Sequence, residues 1–83
     1  MGLPNQPVTL SVAQIDDLNR KLSDMRHEIN NNLSLIMAAV EVIRFKPEMI
    51  EKMIASITDQ PPKVVHTINQ FSEDFEKTFG ISR

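Results

Sequence analysis

The chain has 83 residues, 41% of them hydrophobic, with a formal charge of −2 and no cysteine. That length allows one domain at most, and the missing thiols exclude disulfides, thiolate metal sites and cysteine nucleophiles. Glycine occurs only at Gly2 and Gly80, which rules out glycine-rich phosphate loops, and the mild acidity with no run of Lys or Arg argues against nucleic-acid binding. No apolar run approaches the roughly 20 residues of a membrane span, and no charged start leads into an apolar stretch as in a secretory signal. A soluble, cytoplasmic protein is the expectation.

Residues 1–10, with Gly2, Pro4 and Pro7 and no helical period, are expected to form a flexible tail ahead of a helical hairpin over 11–83. Ser11 and Gln14 fit a capping box, the serine oxygen accepting from an early amide while the glutamine reaches back. Beyond it Ile15, Leu18, Leu22, Met25, Ile29, Ile36, Ala39 and Ile43 alternate by three and four, with Asn32 filling the one gap. Leu33 and Val40 widen that stripe, which suits a bundle better than a narrow two-stranded seam. Asp16–Arg20 and Asp17–Lys21 are acid-before-base pairs at i,i+4. This first helix should run to Arg44 or Phe45, on the order of 50 Å.

Phe45-Lys46-Pro47 reads as a turn, with Pro47 and Glu48 placed to start a second helix antiparallel to the first. Its apolar stripe is Ile50, Ile54, Ile57, Pro61, Val64, Ile68, Phe71 and Phe75, and Gly80 stands in the C′ position. Pro61-Pro62 removes two backbone donors and disfavours helix at Gln60 and Pro61. Two separate helices, the second capped by Asp59, is one reading. The apolar phase continues unbroken through the prolines, so one axis with a sharp kink or broken turn near Thr58–Pro62 is preferred. The fold class is therefore all-α: an antiparallel helical hairpin that pairs with a second copy into a dimeric four-helix bundle, since one hairpin would leave most of its apolar surface uncovered.

The chemistry-bearing stretch is Met25 to Ile36. With Met25 at d and Ile29 at a, His27 falls at the outermost heptad position, Asn31 follows one turn on, and Glu28 sits on the flank. An accessible neutral imidazole attacks phosphorus. A neighbouring carboxylate takes the ring proton or fixes the tautomer, and an asparagine amide orients a water or a phosphoryl oxygen. His66 also falls outward but is followed by Thr67 rather than a carboxylate, and it is assigned no role. The two histidines make no metal-ligand cluster, no cofactor is expected in this chain, and the methionines read as core filler.

His27-Glu28-Ile29-Asn30-Asn31-Asn32-Leu33 resembles the H-box of sensor histidine kinases, in the branch whose box reads H-E-[IL]-[KN]-N-P-L. The resemblance implies a dimerisation and phosphotransfer hairpin over roughly Ser11 to Gly80, although only the seven-residue box is specific. It implies His27 as the phosphoryl carrier, Glu28 as the acid assisting transfer, and Asn31 as support for dephosphorylation of a partner response regulator. Asn32 stands where that family usually has proline, so a straighter first helix is expected. With no ATP-binding domain, the chain is not expected to be an autonomous kinase.

The leading function is a stand-alone histidine phosphotransfer module, passing a phosphoryl group between His27 and a receiver aspartate. Its partners would be a second copy of the chain and a response-regulator receiver domain, a separate histidine kinase, or both, with no nucleic acid and no membrane. The alternative is a non-catalytic dimeric bundle that docks and regulates a kinase or response regulator. A small helical adaptor with an accidental likeness to the box is the third reading.

Overall fold

In the computed structural model, which describes residues 6–80, the chain folds as two long helices joined by a tight connection. Helix α1 spans Val12–Phe45 (34 residues) and α2 spans Ile50–Phe79 (30 residues), with a single 3₁₀ turn at Pro47–Met49 between them. Among the described residues there is no strand, and no helix is long and apolar enough to cross a membrane. Positions 1–5 of the expected tail lie outside the described residues, and residues 6–10 are non-helical.

The helix ends follow from local chemistry. The Gln14 amide donates to Ser11 Oγ at 3.1 Å and the Ser11 amide to Gln14 Oε1 at 2.8 Å, the reciprocal capping box. That arrangement contributes about 1 kcal/mol at a helix start. Arg44 and Lys77 stand in the last turns of α1 and α2, where a cation meets the negative helix end. Gly80 closes α2 at φ 66°, ψ 28°, a left-handed conformation that a Cβ would disfavour. Near the start of α1, Asp17 takes both cations, Lys21 at 3.0 Å and Arg20 at 2.7 Å. Arg20 therefore pairs at i,i+3 with Asp17 rather than at i,i+4 with Asp16.

Pro61 and Pro62 do not break α2, which is helical through both. This corrects the expected broken turn and the separate cap at Asp59. Their rings leave the carbonyls of Ile57 and Thr58 without helical donors. In the preceding turns the Thr58 hydroxyl donates to the Ile54 carbonyl at 2.7 Å and Gln60 Nε2 to the Ser56 carbonyl at 3.3 Å. The long apolar face on either side, held against α1, outweighs a local preference that acts on two residues.

Two contacts set the register of the hairpin, Thr67 with Glu28 and Lys21 with Asp74; in both, the residue numbers total 95. On α1 the inward face is the heptad stripe, with Leu18, Leu22, Met25, Ile29, Ile36 and Ile43 half-buried and Asn32 and Ala39 buried. On α2 it is not the apolar stripe. Ile57, Val64 and Phe71 are half-buried as expected, but Met53, Gln60, Thr67 and Asp74 accompany them, while Ile50, Ile54, Pro61 and Ile68 stay exposed. One position is about 100° at 3.6 residues per turn; with 57, 64 and 71 kept and 61 and 68 replaced by 60 and 67, the packed face of α2 is turned by half of that, roughly 50°, from its most apolar one.

The result is a single layer, 57 × 25 × 11 Å between Cα extremes. Ala39 is the one apolar residue buried among those described, beside the polar Asn32, Gln60 and Glu76. Domains normally close a core between two layers; here the second layer is missing.

Candidate functional site

The middle of the hairpin brings the sequence-predicted residues against α2. Glu28 leaves α1 on the flank facing its neighbour, and the Thr67 hydroxyl donates to Glu28 Oε2 at 3.1 Å. A hydroxyl fixed to one carboxylate oxygen orients the group and leaves Oε1 open to an incoming donor. This bridge lies between two depressions. Toward the helix ends it borders a small one with Lys21, Asp24, Gln70 and Asp74. Toward the prolines it borders a wider cleft of about 370 Å³, walled by Glu28, Asn31 and Asn32 from α1 and by Pro62, Lys63, His66 and Thr67 from α2.

The three predicted site residues are placed differently. His27 is exposed on α1, next to the cleft in sequence but not among the residues that line it. Glu28 and Asn31 both line it. The imidazole that shares the cleft with them is His66 of α2, the histidine given no role from sequence. Lys63, His66 and Thr67 form one face of α2 by their i, i+3, i+4 spacing. That spacing was legible, but its meeting with Glu28 and Asn31 depends on the register.

Asn32 occupies the inward position where the H-box has proline. It is 9% exposed, lines the cleft, and its side chain has no hydrogen-bond partner. Its amide atoms are not sealed from solvent: among the described residues, the buried side-chain atom without a partner is Gln60 Oε1. The side chains of Asn31, Lys63 and His66 are likewise without partners. Asp17, in the ion-pair cluster on the first turns of α1, is held below its ordinary value of 3.8 by the Lys21 ammonium and then the Arg20 guanidinium. Among the described residues, no three His, Cys, Asp or Glu side chains stand together as metal ligands.

No family model, curated protein or solved structure matches this chain.

Proposed function

We propose that the chain is a histidine phosphotransfer module of a two-component relay, with His27 exchanging a phosphoryl group with a partner receiver's aspartate. The observation that carries the reading is an exposed His27 beside a Glu28 whose carboxylate is held across the hairpin by Thr67. The unprotonated imidazole nitrogen attacks the acyl phosphate of the receiver. An N–P bond forms as the P–O bond to the aspartate breaks, and the aspartate leaves as a carboxylate. Glu28 balances the imidazolium or takes its remaining ring proton, and Asn31 orients a phosphoryl oxygen or water. The reverse transfer uses the same groups. The likeness of residues 27–33 to the H-box points the same way, and the phosphoryl donor is another protein.

The working unit in this proposal is a homodimer. A second hairpin laid on this one would supply the missing layer. The accessible surface of 6529 Å² exceeds by roughly 1,500 Å² the roughly 5,000 Å² of a compact monomer of this mass, more than the roughly 800 Å² that a standard interface buries on each partner.

The test is transfer of label from phosphorylated receiver domains to the purified chain and to its His27→Gln variant. Acid-labile, base-stable label on the wild type and none on the variant is expected. Equal label on both overturns His27 as acceptor. An unlabelled wild type that still binds a receiver favours the non-catalytic docking bundle.

A further inference from the structure

The cleft between the helices has a chemistry of its own. Its free donors come from both helices: the Lys63 ammonium and the His66 ring N–H from α2, and the amides of Asn31 and Asn32 from α1. Asn32 is nine-tenths buried and makes no hydrogen bond within the chain, so its amide is available to a group that enters the cleft. Amide, imidazole and ammonium groups on the residues that line one concave space suit a small oxyanion. The one carboxylate lining the same space is that of Glu28, whose Oε2 accepts from the Thr67 hydroxyl. A carboxylate there repels an oxyanion that has no proton to give and accepts a hydrogen bond from one that has. Sulfate and phosphomonoester dianions have none. Orthophosphate keeps a P–OH at neutral and mildly alkaline pH.

We propose that the Glu28, Asn31, Asn32, Lys63 and His66 cleft is a binding site for free orthophosphate. Lys63, His66 and the two asparagines bind its unprotonated oxygens, and Glu28 Oε1 accepts its P–OH. The site shares Glu28 and Asn31 with the proposed transfer step but does not include His27, and it requires no phosphohistidine and no partner protein. Failure of the phosphotransfer assay therefore leaves it standing, and failure here leaves that reading standing.

The experiment follows the side-chain amide signals of Asn31 and Asn32 and the ring signals of His66 by NMR on the full chain. It is titrated with orthophosphate, sulfate and methyl phosphate at matched ionic strength and mildly alkaline pH. Saturable shifts at those groups are expected with orthophosphate, and at least tenfold weaker binding with the other two. Lys63→Met should weaken phosphate binding about tenfold, the scale of one charge-assisted hydrogen bond. Lys63→Gln serves if the first variant loses its helical circular dichroism. Glu28→Gln should let sulfate bind about as well as phosphate. Shifts that follow ionic strength with any salt, or wild-type binding of sulfate equal to that of phosphate, overturn the proposal.

Discussion

On α1 the side chains that turn toward the neighbouring helix are chiefly its apolar heptad residues, Leu18 through Ile43, with Asn32 among them. On α2, Gln60, Thr67 and Asp74 turn inward in place of Pro61, Ile68 and Phe75, the last half-buried, and Ile54 remains 50% and Ile68 43% exposed. The α1 stripe is interrupted at Asn32 and that of α2 is not, so hydrophobicity alone does not account for the difference. The inward edge of α2 carries groups that reach α1, Thr67 to Glu28 at 3.1 Å and Asp74 to Lys21 at 3.9 Å. Within one hairpin α1 uses its best face and α2 holds much of its own in reserve. In the proposed dimer, that reserved α2 stripe is the surface that the second hairpin would cover.

The strongest way to break the comparison is to charge the reserved face. The double variant Ile54→Glu/Ile68→Glu alters side chains that the hairpin leaves half exposed, so the hairpin itself tolerates it. In the proposed dimer it buries two unpaired carboxylates per chain. The dimer dissociation constant measured by sedimentation is expected to rise at least about a thousandfold, which corresponds to about 4 kcal/mol. Met37→Glu, on the outward side of α1 and 69% exposed, should leave it within a few-fold of wild type. A wild-type chain that sediments as a stable compact monomer at micromolar concentration would sink the dimer.

Much of this architecture was readable beforehand, where the determinants are local. Ser11 and Gln14 mark the start of α1, Phe45-Lys46-Pro47 its end, and Gly80 the end of α2; each depends on neighbours within a turn. The heptads of α1 predicted its packed face because that face meets the nearest partner. Three things were not legible. The double proline carries a strong local signal, but helix on both sides overrides it. The face of α2 could not be read from its apolar phase, which locates the most hydrophobic side and not the side that the first neighbour occupies. The register was hidden by the connection, whose 3₁₀ turn at Pro47–Met49 leaves no mark in the apolar periodicity. Without the register, Thr67 could not be matched to Glu28, nor His66 and Lys63 to Asn31. Glu28 and Asn31 were found because the H-box resemblance names adjacent residues on one helix. Their companions on α2 lie about 40 residues away and fall in no motif.

A second prediction sharpens the role of the polar edge. Gln60 is 5% exposed, its Oε1 has no partner, and its Nε2 donates to a carbonyl of its own helix. An unsatisfied buried oxygen costs about 1–3 kcal/mol. Gln60→Met keeps the length and removes the deficit, so thermal stability should rise by about 1 kcal/mol, on the order of 4–8 °C in Tm for a domain of this size. A fall in Tm would mean that Gln60 contributes to the turn of α2 in a way its hydrogen bonds do not express.

The smallest expected effect concerns Asp17, which shares Lys21 with the polar edge of α2 through Asp74. Lys21 and then Arg20 hold the Asp17 carboxyl below its ordinary value of 3.8. A carboxylate whose folded pKa lies below its unfolded one binds fewer protons when folded. It therefore stabilises the fold above the ordinary carboxylate range, and that contribution is lost as pH falls through the lowered value. The pair is exposed and screened, so its effect is small and shrinks with added salt. Thermal melts of wild type and Asp17→Asn should differ slightly at neutral pH and low salt, with wild type the more stable, and converge as pH falls below the lowered Asp17 value. Asp17→Asn also releases Lys21 to Asp74. If that variant is instead more stable than wild type at neutral pH, the cross-helix pair outranks the one within α1, and the inward edge of α2 is held by charge as well as by the Thr67 hydroxyl.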